Sequence, residues 1–183
     1  MNMNRRKRSS MKLAAALVAS CIIVSVDTVA DTSAVFTLPS GVRVEIVEAN
    51  FQKTLFSISG CSERGDVCRI NGHVPFGADF GLPKTYVKNI TVLFQGQSYS
   101  LDVSDMYNAW GARPLEYKGK IRYFGGKCFD TKNCQFRGLF SDAAGSFVAE
   151  WRVVSGLPTR TVLTSSNDVM NLFIKHIDPP EFD

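Results

Sequence analysis

The residues of this sequence that can carry out catalysis are few, and the pair best placed to act together is His73 with Asp79. An imidazole oriented by a carboxylate can serve as a general base. The two residues lie six positions apart in a glycine-rich stretch without hydrophobic periodicity. The other histidine, His176, falls at the end of a predicted helix, where it complements the helix dipole. A loop histidine bonded to backbone or water is the commoner arrangement, so the sequence favours a structural role for His73.

A pair of carboxylates that cleaves a glycosidic bond is the second catalytic possibility. Five acidic residues fall in or beside predicted loops, but no two have a diagnostic spacing: Asp102, Asp105, Glu116, Asp130 and Asp142. Ser141 lacks the flanking glycines of a nucleophile elbow. No calcium-loop or histidine-rich pattern occurs. The sequence therefore predicts a protein that is not an enzyme and has no metal or cofactor.

Residue types typical of protein interfaces are better represented. Tyr107, Trp110 and Arg113 fall in one short irregular segment, and these three types dominate interface hot spots. The same aromatic side chains can instead close the end of a hydrophobic core. We predict a binding role for the three and retain core packing as the alternative.

Two further loops are candidate binding surfaces. Residues 69–84 form a long aperiodic stretch that holds Phe76, Asp79 and Phe80, and long loops in compact domains are often functional. The loop between Cys128 and Cys134 carries Asp130 and Lys132 at its centre. A local disulfide would stiffen this loop and reduce the entropy lost on binding.

The elements that position these residues are mainly antiparallel strands. Residues 134–165 predict a three-stranded meander with a turn at 142–145, which sets Phe136 opposite Trp151 and Arg137 opposite Glu150. The next turn, at 155–158, leaves open whether Trp151 meets Val162 or Leu163.

The remaining segments alternate or carry turn signals. Residues 31–35 are predicted to be a loose tail, 36–48 a hairpin, 50–59 a strand, 85–103 a second hairpin, 105–110 a helical turn and 117–124 a strand. Ser165 or Ser166 can cap a helix over 167–176. Its apolar stripe is Val169, Leu172, Phe173 and Ile177. The predicted fold is α+β, mostly antiparallel β with about eight strands in a sandwich or barrel and a C-terminal helix packed on the sheet.

The first thirty residues have the pattern of a cleaved signal peptide. A basic cluster precedes an apolar run over 13–26 and a small-residue site at 28–30. The run is shorter than the roughly 20 residues that span a bilayer. Cys21 follows a small-residue pattern typical of lipoproteins, so a lipid anchor there is the alternative. The remainder, residues 31–183, is predicted to be one β-rich domain, periplasmic or secreted.

Charge and cysteine content agree with export. Residues 1–30 hold five of the 21 basic and one of the 17 acidic side chains, which leaves 16 of each in the mature chain. A neutral chain gives no electrostatic reason to bind nucleic acid. Four cysteines remain and predict two local disulfides, Cys61 with Cys68 and Cys128 with Cys134.

These features predict an exported, disulfide-stabilised protein that binds a partner protein in the bacterial envelope. An inhibitor or immunity-type protein that occludes an enzyme or toxin suits its size, neutrality and lack of catalytic groups. The alternative is an envelope hydrolase that uses His73 and Asp79 or a carboxylate pair. An accessory of a surface assembly, recognised by an exposed edge strand, is a third possibility.

Overall fold

The computed structural model describes residues 31–61, 68–78, 81–109, 124–141 and 143–177. Within these ranges the chain forms ten strands and one α-helix: β1 (Thr32–Thr37), β2 (Arg43–Asn50), β3 (Ile58–Ser59), β4 (Arg69–Ile70), β5 (Thr85–Phe94), β6 (Gln97–Leu101), β7 (Phe124–Cys128), β8 (Cys134–Phe140), β9 (Phe147–Val154), β10 (Leu157–Thr164) and α1 (Asn167–Lys175). Short 3-10 turns occur at Lys53–Leu55 and Ala143–Gly145. The predicted leader, and the predicted strand 117–124 apart from Phe124, lie outside these ranges.

The larger strands form two four-stranded antiparallel sheets. The first has the order β1-β2-β5-β6 and the second β10-β9-β8-β7, while β3 and β4 pair separately. One hydrophobic core takes side chains from both sheets, among them Val44, Ile46, Ile90, Val92 and Leu101 from the first and Phe124, Phe136, Phe140, Phe147 and Trp151 from the second. The two sheets therefore pack face to face as a sandwich, which confirms the predicted mainly antiparallel α+β fold.

The predicted register of the meander is confirmed. Phe136 lies opposite Trp151, Arg137 opposite Glu150 and Phe140 opposite Phe147. Alternation with a period of two sends the aromatic residues into the core and the charged pair to the outer face. The buried indole of Trp151 donates to the carbonyl of Asp102 at 2.7 Å, so its polar group is satisfied.

The turn between β9 and β10 differs from the prediction. It has two residues, Ser155 and Gly156, both with positive φ, as in the hairpin turns whose twist matches that of the flanking strands. Leu157 and Pro158 consequently join β10. Trp151 lies opposite Arg160, and neither of the predicted partners, Val162 and Leu163, faces it.

The C-terminal helix packs on the outer face of the second sheet, as predicted. Phe173 is buried, and the guanidinium of Arg137 lies 5.2 Å from the centre of its ring. The same guanidinium donates to the carbonyl of His176 at 3.2 Å. Of the predicted apolar stripe, Val169 and Ile177 are half-buried, whereas Leu172 is exposed. No helix in the described part of the chain is long and apolar enough to cross a membrane.

Three local predictions are wrong. The predicted tail is β1, which starts at Thr32 and pairs along its whole length with β2. The predicted strand over 50–59 is interrupted by a 3-10 turn, where Phe51 and Phe56 stack with ring centres 4.6 Å apart. The predicted helical turn over 105–110 is not helical in its described part, since Asp105 and Asn108 have positive φ.

Candidate functional site

Both predicted disulfides are present. Cys61 is bonded to Cys68, and Cys128 to Cys134. The second bond joins paired positions of β7 and β8, so it closes the loop 129–133 at its base. A loop closed in this way has few accessible conformations before it meets a partner.

The interior of this loop is organised by Asp130. Its carboxylate accepts hydrogen bonds from the backbone nitrogens of Lys132 at 2.7 Å and Asn133 at 2.8 Å, and from Nδ2 of Asn133 at 2.9 Å. The Asn133 side chain, followed by the Lys132 amide, holds the pKa of Asp130 below its ordinary value. The Asp130 carboxylate therefore orders the loop, and its predicted contact with a partner remains a prediction. Lys132 is exposed.

Three contacts hold the loop from outside. The hydroxyl of Tyr99 on β6 donates to the carbonyl of Thr131. The Lys132 carbonyl accepts from the amide of Gly156 at 2.8 Å, and Oδ1 of Asn133 accepts from the amide of Ser155 at 3.1 Å. The tips of the β7–β8 and β9–β10 hairpins are consequently joined into one unit.

This unit carries a mixed apolar and basic surface, which we call the hairpin-tip surface: Phe129, Lys132, Arg152, Val154 and Leu157. Its three apolar side chains are exposed, Phe129 by 61%, Val154 by 59% and Leu157 by 72%. The Arg152 side chain is half exposed. Phe129 lies in the predicted Cys128–Cys134 loop but was not itself predicted to bind a partner. Arg152, Val154 and Leu157 were not predicted as binding residues either. Val154 follows Glu150 and Arg152 at two-residue spacing, so all three side chains lie on the same outer face of β9. This alternation could have identified Val154 from the sequence.

A second candidate site is a cleft of about 450 Å³ beside the β5 strand, which we call the His73 cleft. Its lining includes His73, Asp105, Phe56, Tyr86 and Tyr107. The rings of Phe56 and Tyr86 meet edge to face with centres 5.3 Å apart, and Phe56 also contacts the ring of Tyr107. Aromatic walls with a few polar groups are typical of ligand-binding clefts.

His73 is positioned by a two-residue turn. Asn71 and Gly72 both have positive φ, and Ile70 and His73 exchange backbone hydrogen bonds of 2.9 and 3.0 Å. The imidazole Nδ1 then lies 3.0 Å from Oδ2 and 3.1 Å from Oδ1 of Asp105. Among the described residues, the carboxylate next to His73 is that of Asp105. The predicted partner, Asp79, lies outside the described residues, so that pairing stays a prediction.

The pairing of His73 with Asp105 gives half of a catalytic arrangement. In a neutral imidazole whose Nδ1–H donates to Asp105, Nε2 is the acceptor. Burial, followed by the charge of Asp105, raises the pKa of Tyr107 to about 12, so its phenol stays protonated at neutral pH. Among the described residues, no hydroxyl or thiol hydrogen-bonds to the imidazole, and His73 is 66% exposed to solvent. The cleft therefore holds an oriented base but supplies no nucleophile from the described chain.

Two of the five candidate carboxylates, Asp102 and Asp105, line the His73 cleft together, but each is engaged by another side chain. Asp102 accepts from the Ser104 hydroxyl at 2.6 Å and pairs with Arg160 at 3.3 Å. Burial alone would raise the pKa of Asp102, but the two Ser104 hydrogen bonds and the charge of Arg160 lower it, so it remains ionised at neutral pH. Asp130 is engaged by its own loop, whereas Glu116 and Asp142 lie outside the described ranges. Those ranges contain no group of three or more His, Cys, Asp or Glu that could hold a metal ion.

The other predicted binding residues divide into buried and undescribed ones. Phe76 is half-buried, and its ring lies 6.2 Å from that of Phe147 in the core. Tyr107 is 4% exposed, which leaves little of it for a partner protein to contact. Phe80, Trp110 and Arg113 lie outside the described residues, as Asp79 does.

A scan against protein-family models and searches of curated proteins and of solved structures found no match to this chain.

Proposed function

We propose that this chain is an exported, disulfide-stabilised protein that binds a partner protein in the bacterial envelope through the hairpin-tip surface. Its action is that of an inhibitor or immunity-type protein that occludes a partner enzyme or toxin. The observation that carries the proposal is the joining of two hairpin tips beneath three exposed apolar side chains. Clustered exposed apolar residues on a folded protein commonly mark an interaction surface.

The rigidity of the surface supports binding over a merely exposed loop. A disulfide, the hydrogen bonds on Asp130 and the Tyr99 hydroxyl all fix the loop before a partner arrives. Ordering a flexible loop on association costs about 0.5–1.5 kcal/mol for each immobilised side chain, and a loop already fixed avoids most of that cost. Rigid loops of this kind suit the occlusion of an enzyme cleft.

The chemistry of the surface also suits a protein partner. An aromatic ring, two aliphatic side chains and an arginine are among the residue types that interfaces use for anchoring and orientation. The two disulfides agree with an oxidising compartment, where such bonds persist. The neutral net charge of residues 31–183 leaves recognition to the local surface rather than to a global field.

The test is capture of a partner from envelope extract by the exported protein, purified with its disulfides intact. We expect Phe129→Ala and Leu157→Ala each to weaken the captured complex at least about tenfold, as truncation of an interface anchor does. Leu55→Ala is the matched control, because Leu55 is 62% exposed but lies outside the hairpin-tip surface. Equal affinities for the surface variants and the control would refute the proposed surface.

A hydrolase remains the second candidate, favoured by the contact between His73 and Asp105. If the cleft is catalytic, hydrolysis of an ester, peptide or glycan substrate should be lost in His73→Ala and strongly reduced in Asp105→Asn, which keeps the shape of the side chain. Glu45→Gln, on the exposed face of β2, is the control. The hydrolase hypothesis is excluded if the unmodified protein shows no turnover, or if turnover persists in both His73→Ala and Asp105→Asn.

A further inference from the structure

A small pocket of about 160 Å³ lies within the hairpin-tip surface. It is lined by the ring of Phe129, by Asn133 of the loop, and by Gln135, Arg152 and Val154 on the outer face of the second sheet. This volume is suited to a single side chain rather than to a metabolite, since drug-sized ligands occupy roughly 300–1,000 Å³.

One of the residues that line the pocket carries a polar group that the described chain does not satisfy. Gln135 is 6% exposed, and its Nε2 has no hydrogen-bond partner in the part of the molecule that the structure describes. Buried side-chain amides are nearly always hydrogen-bonded in folded proteins. Nε2 itself has almost no accessible surface, so an acceptor from another molecule reaches it only when the Gln135 side chain turns toward the pocket.

The charges around the pocket select the kind of acceptor. Arg152 lies opposite Gln135 in the pairing of β8 and β9, and its Nε is 3.5 Å from Oε1 of Glu150. Arg137 holds Oε2 of the same carboxylate at 2.7 Å. A guanidinium has five N–H donors, so Arg152 keeps donors beyond its contact with Glu150.

The remaining charges add to this positive character. Lys132 is exposed on the adjoining loop, and the ammonium of Lys127 lies 5.2 Å from the centre of the Phe129 ring. The negative charge of Asp130 is satisfied by donors of its own loop. The pocket therefore presents hydrogen-bond donors and positive charge between apolar walls.

We propose that this pocket receives a glutamate or aspartate side chain from an acidic, apolar-flanked segment of the partner protein. The carboxylate accepts hydrogen bonds from Arg152 and, once the Gln135 amide has turned toward the pocket, from its Nε2, while the flanking residues of the segment pack on Phe129 and Val154. This inference rests on the proposed function, because it names the chemistry that the partner presents to the hairpin-tip surface.

The probe is a blocked tripeptide with the sequence Leu-Glu-Leu, titrated into the ¹⁵N-labelled protein, with Leu-Gln-Leu as the isosteric control peptide. We expect the acidic peptide to shift the side-chain amide signal of Gln135 in the millimolar range, typical of a single anchor. The neutral peptide should bind at least about tenfold more weakly, and added salt should weaken the acidic peptide more than the neutral one.

Protein variants complete the test. Arg152→Gln should weaken the acidic peptide at least about tenfold and leave the neutral peptide unchanged, as loss of a charged hydrogen-bonding partner does. Arg43→Gln is the matched control, since Arg43 is an exposed strand arginine on the other sheet. Amide spectra of both variants establish that the fold is retained.

The result that overturns the inference is an equal response to the two peptides, no shift at Gln135 up to about 10 mM peptide, or an unchanged affinity in Arg152→Gln. If the pocket test fails in this way while Phe129→Ala still abolishes partner capture, the acidic anchor is wrong and the proposed function stands. If Phe129→Ala leaves capture intact, the proposed function fails on its own evidence.

Discussion

Glu48 makes the stability of this protein depend on pH in an unusual direction. The residue is buried in β2, where its Oε1 accepts hydrogen bonds from the Thr85 hydroxyl and, at 3.0 Å, from the backbone nitrogen of Ala109. Its Oε2 has no hydrogen-bond partner among the described residues. Burial raises the pKa of Glu48 from 4.5 to about 7, although the bonds from Thr85 and Ala109 act to lower it.

The raised pKa sets the size of the effect. Because the folded protein binds this proton more tightly than the unfolded chain, the stabilisation is fully present below pH 4.5 and is lost as the pH rises to about 7. One pKa unit corresponds to about 1.4 kcal/mol, so the free energy of unfolding falls by about 3 kcal/mol across this window. That is a large part of the roughly 5–15 kcal/mol that stabilises an ordinary domain.

Glu48→Gln isolates this contribution, since the amide has the same shape and stays neutral. We expect the variant to match the unmodified protein at about pH 4 and to be more stable by about 3 kcal/mol at about pH 8. Urea unfolding followed by the fluorescence of the buried Trp151 measures the difference at each pH. Glu45→Gln, an exposed position on the same strand, should show no such trend.

Two results would refute this reasoning. A stability difference that stays constant across the pH range would mean that Glu48 has the same pKa in the folded and unfolded states. A difference that shrinks as the pH rises would mean that the anion is favoured by its two hydrogen bonds over the cost of burial. A carboxyl-carbon NMR titration of Glu48 gives the folded pKa independently of unfolding.

Gly126→Ala should destabilise the fold by about 2–4 kcal/mol in urea unfolding, because φ is +146° and a Cβ would lie 2.3 Å from a backbone oxygen of β8. Gly96→Ala, also at positive φ but with open space around it, should cost about 1–2 kcal/mol. Arg137→Met should cost about 2–4 kcal/mol at neutral pH by leaving the buried Glu150 carboxylate with weaker partners. Burial acts to raise the pKa of Glu150, but the hydrogen bond and the charge of Arg137 outweigh burial and lower it. The destabilisation caused by Arg137→Met should therefore decrease as the pH falls below 4.5 in the same unfolding assay. Tyr99→Phe should raise amide exchange rates in residues 129–133 about fivefold, as loss of one hydrogen bond of about 1 kcal/mol does, and unchanged rates would contradict the bracing role of the hydroxyl.

The parts of the fold that the sequence predicted are those fixed by local patterns. The turn after Phe140 and the opposite charges of Arg137 and Glu150 specify one register, because a slip of one residue would reverse the faces of the strand. The disulfides also follow from short spacing. In contrast, the burial of Glu48 was not predicted. It is buried like Val44 and Ile46, and extending the alternation of β2 by two residues would have placed its side chain in the core.

The candidate sites depend on contacts between distant parts of the chain. His73 and Asp105 are 32 residues apart, and nothing in the local sequence links them. The Asn71-Gly72 pair does indicate a two-residue hairpin turn, which places His73 at a chain reversal but does not say what it faces. The same holds for Tyr99, whose bond to the Cys128–Cys134 loop joins positions 32 residues apart.

The outer face of the second sheet is only partly covered by the described chain. Along β9, Val148 and Glu150 are buried, whereas Arg152 and Val154 beyond them are exposed. The helix α1 has nine residues and spans about 13 Å, since each residue advances it by 1.5 Å. The eight residues of β9 span about 26 Å at roughly 3.3 Å each, so the helix can cover only about half of the strand. Under the proposed function, a partner protein that packs on Arg152 and Val154 would continue the layer that α1 begins, which is a geometric reason to look for it there before the His73 cleft.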